Sequence, residues 1–227
     1  MIIEAKGISK KYKNKCVLQN IDLKIDSGEV IGLIGPNGSG KTTLLNIFMN
    51  IIQSYLGSLK IQSGARLGMS VSRMGFFEDM DVQTNVKMYA SLGGGDIKNL
   101  NDLYDFLSID YKSLLYKELS AGMKQKVSLL LSFLRQYDLT LLDEPTNHLD
   151  VDSIIALRKL ILERKKLGDS FLIASHVLSD LEKICDRVIF IKAGVVVATE
   201  ETNSLIRKYG DLEKAYSELL ETKITEN

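Results

Sequence analysis

Val30-Ile31-Gly32-Leu33-Ile34-Gly35-Pro36-Asn37-Gly38-Ser39-Gly40-Lys41-Thr42 is the stretch that decides the fold. It opens with an apolar run that ends at Gly35, which reads as a buried strand. From Thr42 to Ile51, Leu44, Leu45, Ile47, Phe48 and Ile51 recur at helical spacing and predict a helix. Between the two, Gly35, Gly40, Lys41 and Thr42 satisfy the pattern GxxxxGK[ST]. Gly38 and Gly40 let the backbone turn so that successive N–H groups point at phosphate oxygens. The helix that follows presents its positive end to the same anion. Lys41 is placed to reach the β and γ phosphates, and the Thr42 hydroxyl to bind Mg²⁺. The pattern predicts a site for a nucleoside triphosphate with magnesium. By itself it leaves open what the energy is used for.

Working outward, Leu139–Leu142 is an apolar strand that ends in Asp143-Glu144. Asp143 suits a magnesium shell and Glu144 suits a general base that polarises an attacking water. An acidic turn alone would be the plainer reading of Asp-Glu-Pro, but the phosphate loop favours the functional one. Phe171–Ala174 reads as another buried strand, with a helix over Asp150–Lys166 between them and Asp150 as its N-cap. This alternation predicts an α/β protein with a parallel sheet and helices on both faces. Ile2–Ala5 and Ile21–Ile25 look like short antiparallel strands, and Gly57–Gly64 like a short hairpin. Gly75–Lys126 has helical patterns on either side of a break at Gly93-Gly94-Gly95. Val188–Lys192 and Val195–Thr199 form a hairpin around Ala193-Gly194, and Asp211–Thr222 is an amphipathic last helix, read as a lid.

The 227 residues suffice for one well-cored domain. Lys plus Arg (29) equals Asp plus Glu (29), so the chain shows no overall basic surface for phosphate backbones, and no nucleic-acid partner is expected. Cys16 and Cys185 lie far apart and outside any CxxC pair, and are read as reduced core thiols. Apolar stretches such as Val127–Leu134 are too short to span a bilayer, and the first residues lack the pattern of a signal peptide. A membrane pathway would therefore belong to another chain.

With these motifs in order, the chain resembles the ATP-binding-cassette (ABC) family over nearly its whole length. Leu119-Ser120-Ala121-Gly122-Met123-Lys124-Gln125-Lys126 resembles the family's signature sequence, and Asn147-His148-Leu149-Asp150 its D-loop. Ser175-His176 resembles its switch histidine, and Tyr12 the aromatic that stacks on adenine. The resemblance implies a P-loop NTPase (RecA-like) core with an N-terminal antiparallel β-subdomain and an inserted helical subdomain. It divides the single domain into a core at about 1–74 and 127–199, a helical subdomain at about 75–126 and a helical tail at 200–227.

The resemblance also implies roles. ATP would sit on Tyr12 and on Gly35, Pro36, Asn37, Gly38, Ser39, Gly40, Lys41, Thr42 and Thr43. Glu144, His176 and Lys41 would be catalytic, and Thr42 and Asp143 would hold Mg²⁺. Two cassettes would face head to tail, as a homodimer or heterodimer. Ser120, Ala121, Gly122 and Met123 of one would then complete the site of the other, with Asp150 at the interface. His148 reads as a loop histidine near that interface, and Gln125 and Lys126 as residues that cap or solvate their helix. Where the family has a metal-contacting glutamine, Ser72 stands here, able to reach the metal only through water.

The function implied is an ATPase subunit that powers transport, more in keeping with export than import. It would work at the cytoplasmic face of the membrane with a separate integral membrane subunit. A non-transport ABC ATPase of the translation-factor kind usually carries two cassettes in one chain, and a non-hydrolysing regulatory cassette is disfavoured by intact Lys41, Asp143, Glu144 and His176.

Overall fold

The apolar run Val30–Ile34 cannot alternate between core and solvent, so both faces of its strand must be covered, and all five of its residues are buried. The computed structural model shows how, for the residues it describes: 1–70, 75–93 and 100–222. Among them the chain runs β1 (Ile3–Tyr12), β2 (Lys15–Ile25), β3 (Val30–Ile34), α1 (Lys41–Phe48), β4 (Leu56–Ile61), β5 (Leu67–Ser70), α2 (Val82–Gly93), α3 (Leu100–Phe106) and α4 (Ala121–Phe133). It continues through β6 (Leu139–Asp143), α5 (Val151–Lys166), β7 (Phe171–Ser175), α6 (Leu178–Leu181), β8 (Arg187–Lys192), β9 (Val195–Glu201), α7 (Thr202–Tyr209) and α8 (Leu212–Thr222).

The main sheet has the order β5-β6-β7-β3-β8-β9. Its first five strands are parallel, and β9 is antiparallel to β8. Strand residues alternate between two cores. Val30, Ile34, Leu142, Phe171, Ile173, Val188 and Phe190 point to a face packed by helical residues such as Val127, Leu130, Leu157, Leu181 and Leu212. Ile31, Leu33, Leu141, Leu172, Ala174 and Ile189 point to the other, where they meet Leu44, Leu45 and Phe48 of α1 and the inner residues of β1 and β2. Helices lie on both faces, as expected, but unequally. Among the described residues, one face carries α1 and a second sheet of order β2-β1-β4.

Three further expectations are corrected. The N-terminal strands run longer than their apolar cores, because pairing continues through polar positions to Tyr12 opposite Lys15. Gly57–Gly64 is not a hairpin: β4 pairs antiparallel with β1, and the next strand, β5, enters the other sheet. Helix α1 stops at Phe48, and Asn50 turns left-handed at φ 58°. Ile51 therefore lies beyond the helix, 62% exposed. Of the two free cysteines Cys185 is buried and Cys16 half-buried. Residues 71–74, and with them Ser72, lie outside the described residues, as do Gly94 and Gly95 of the glycine break.

The hairpin between β8 and β9 has a structural task at the phosphate loop. Ala193 (φ 49°) and Gly194 (φ 79°) both take the left-handed backbone that suits a two-residue hairpin turn. Gly194 N–H donates to Ser39 O at 3.1 Å and Gly194 O accepts from Gln19 N–H at 2.8 Å. A Cβ on Gly194 would sit 2.3 Å from Val17 O. Gly194→Ala should therefore lower unfolding stability by about 1–3 kcal/mol and loosen the phosphate loop. Urea denaturation, together with ATP titration, measures both.

Candidate ATP site

Strands β6, β7 and β3 are neighbours, and their C-terminal ends lie side by side at the edge of the sheet. That edge is where parallel α/β sheets place ligands. β3 feeds the Gly35–Thr42 loop, β6 ends at Asp143-Glu144, and β7 ends at Ser175-His176. The topology thus gathers Lys41, Asp143 and His176, far apart in the sequence, at one place.

The loop is built close to its surroundings. A Cβ on Gly35 would sit 2.2 Å from Ile191 O, and Gly40, at φ 107°, leaves only 2.6 Å to Leu18 Cδ2. Gly40 is also the N-cap residue of α1 and supplies no capping side chain, and the first turn of α1 holds no acid. The leading N–H groups of that helix have no intrahelical carbonyls, which leaves them for an anion. The two other helices of the site are closed by their caps. Ser120 Oγ accepts from Met123 N–H at 3.2 Å on α4, and Asp150 Oδ1 from Ser153 N–H at 2.7 Å on α5, as expected for Asp150.

Lys41 is only 6% exposed. Its ammonium donates to Gly35 O at 2.6 Å and Pro36 O at 3.4 Å. Glu144 Oε1 lies 3.3 Å away, an ion-pair distance without hydrogen-bond geometry. The other Glu144 oxygen, Oε2, is 2.8 Å from His176 Nδ1. Lys41, Glu144 and His176 thus form a chain of contacts, with His176 half exposed at its outer end.

Thr42 Oγ1 donates to Asp143 Oδ2 at 2.7 Å. Asp143 Oδ1 is buried without a hydrogen-bond partner. Burial pushes the Asp143 carboxyl above its ordinary range and the Glu144 charge adds to this, against the Thr42 hydrogen bond and Lys41. A bound cation would relieve that unpaired oxygen. The donor set, a hydroxyl and one carboxylate, suits magnesium, which takes few protein ligands and completes its shell with water and phosphate. Among the described residues no group of three His, Cys, Asp or Glu forms a metal cage.

Two clefts meet at these residues. One runs along Asn37–Thr43 and is walled by Lys15 and Val17 of β2. Lys15 and Val17 were not singled out from sequence, because their approach depends on β2 packing beside the loop. Tyr12 lies in the same hairpin, 45% exposed, with the Lys10 ammonium 4.9 Å from its ring centroid. The other cleft lies between Thr42, Asp143 and Glu144 on one side and Ala121, Lys124, Asn147 and His148 on the other.

The segment resembling the signature packs onto the segment resembling the D-loop of the same chain. A Cβ on Gly122 would sit 2.5 Å from His148 O. Gln125 is buried and its Nε2 donates to Pro145 O at 3.1 Å. Lys126 pairs with Asp150 at 3.6 Å. The reading of Gln125 and Lys126 as solvated or capping residues is therefore corrected: both join α4 to the loop after β6. Ser120 and His148 are exposed, and His148 lines the cleft.

Known proteins resemble this chain in sequence and in fold. The ABC transporter family profile matches residues 18–147. An ABC transporter ATP-binding protein of Methanocaldococcus jannaschii is 33% identical over 216 residues, covering 93% of this chain and 82% of that protein. The lantibiotic transport ATP-binding protein SrtF of Streptococcus pyogenes is 28% identical over 88% of this chain and 91% of its own length. A solved ATP-binding subunit of an ABC transporter superposes with a TM-score of 0.87 at 26% identity, covering 97% of this chain and all of that one. A nucleotide-free cassette at 18% identity and TM-score 0.73 shares the fold. With the profile spanning more than half of it and these relatives nearly all of it, the chain belongs to the ABC transporter family, as an ATP-binding subunit.

Proposed function

We propose that this chain hydrolyses ATP between two copies of itself and so drives export through a separate membrane-spanning protein. The observation that carries the reading is the meeting of Lys41, Thr42, Asp143, Glu144 and His176 at the ends of three adjacent strands. ATP lies with its phosphates on the Gly35–Thr43 loop and its base towards Tyr12. Lys41 then turns from its own loop carbonyls to the phosphates. Magnesium, held by Thr42 and Asp143, would neutralise phosphate charge. Glu144 accepts the proton of the attacking water, and His176 orients Glu144 from the other side. Ser120 and Gly122 of the second copy close the site. The Ser120 oxygen accepts a cap bond through a lone pair, so its O–H is still free to donate to phosphate.

The direction of transport rests on relatives. One is named for lantibiotic transport, and another, a Nod factor export ATP-binding protein of Rhizobium johnstonii, is 27% identical over 91% of this chain. The separate partner rests on two observations. No helix among the described residues is long and apolar enough to cross a membrane. The entry to the helical subdomain also exposes Phe77 (48%), Met80 (38%) and Leu114 (40%). Met80 N–H donates to Phe77 O, and Val82 N–H to Leu114 O, so these residues are neighbours. An apolar cluster of this kind suits a docking surface on the cytoplasmic face.

Glu144→Gln should keep ATP binding, reduce turnover by about 10²–10⁴-fold and trap a dimer in the presence of ATP. Phosphate release and sedimentation read the two effects, and an unchanged turnover removes Glu144 from its role. Phe77→Asp combined with Leu114→Asp should leave ATP binding intact and abolish co-purification with the membrane protein. Undiminished co-purification would move the docking surface elsewhere.

A further inference from the structure

We propose that Gln125 is a positioning residue that locks the signature end of α4 to the loop carrying Glu144, so that the two ATP sites of a dimer are coupled through each chain. The inference rests on the head-to-tail dimer proposed above.

The loop from Glu144 to His148 holds two non-glycine residues in left-handed backbone, Glu144 at φ 47° and His148 at φ 65°. Residues keep such conformations where their surroundings over-determine them. Here the surroundings belong to α4. Pro145 directly follows Glu144 and is buried, and its carbonyl takes a hydrogen bond from Gln125 Nε2 at 3.1 Å. Gln125 is itself 5% exposed. At the other end of the loop, the missing side chain of Gly122 lets His148 O approach to within 2.5 Å of where a Cβ would stand. One turn further, Lys126 pairs with Asp150. Both strained residues are thus held against one helix end.

That helix end and that loop serve different ATP molecules in the dimer. Ser120 and Gly122 face the partner's nucleotide, whereas Glu144 faces the chain's own. A shift of the signature end towards a bound γ-phosphate pulls on Pro145 and His148, and through them re-aims Glu144. Gln125 reaches no phosphate itself. It acts through Pro145, and a buried amide donor is needed because a carbonyl left unpaired there is costly.

The test compares the full chain with Gln125→Met, which keeps the length and removes the donor. Gln125→Glu, which keeps the shape and sets an acceptor against Pro145 O, serves as a second variant should the first fold poorly. ATP turnover of the unaltered chain should show a Hill coefficient of about 2, the number of coupled sites, falling to about 1 in either variant. ATP affinity of the single chain's own phosphate loop should stay the same. Hydrogen exchange of the Asn147 and Leu149 amides, which close the loop by bonding Glu144 O and Thr146 O, should quicken by about tenfold. A variant as cooperative as the parent, with unchanged exchange, overturns the proposal while leaving the dimer standing. A parent that neither dimerises with ATP nor shows cooperativity overturns the dimer reading and this proposal with it.

Discussion

The positive charge of Lys41, almost wholly removed from water, is the constraint around which the site is arranged. A buried ammonium is tolerated only where oxygen atoms replace its hydration. Gly35 and Pro36 provide carbonyls from its own loop, and Glu144 provides a carboxylate from β6. Each partner imposes a further demand. Gly35 must lack a side chain because Ile191 of β8 closes on it, and Glu144 takes a left-handed backbone at φ 47°. Glu144 and the loop carbonyls hold the ammonium that, in the function proposed above, the phosphates of ATP take over.

The sheet makes this arrangement possible. β3, β6 and β7 are parallel and adjacent, so their ends coincide without any side chain having to reach far. Part of the buried polar cost falls on Asp143, whose Oδ1 has no hydrogen-bond partner and whose carboxyl is pushed up by burial. A native fold that leaves such an oxygen unpaired points to a ligand that pairs it.

Much of this was legible in the sequence where the chemistry is local. The loop, the strand runs that end at Asp143 and Ser175, and the Asp150 cap each carry their signal within a few residues. What was not legible depends on distant approach. Gln125 reads as a polar helix residue until Pro145, twenty positions on, is seen to present a buried carbonyl to it. Gly194 reads as an ordinary turn glycine until Val17 is found against it. Ile51 kept the helical period but not the helix, since Asn50 turned the chain first, and Leu56 and Leu59 belong to a strand that pairs with β1 rather than with its successor.

In the function proposed above, each ATP is enclosed by the phosphate loop of one copy and the signature of another. Mixing two doubly altered chains tests this enclosure. Lys41→Ala with Glu144→Gln removes the phosphate loop, and Ser120→Arg with Glu144→Gln blocks the signature. Neither alone can build a complete site, but a mixed pair contains one. Light scattering with ATP should find each alone as a monomer and the equimolar mixture as a dimer. A mixture that stays monomeric, or either chain dimerising alone, contradicts the account.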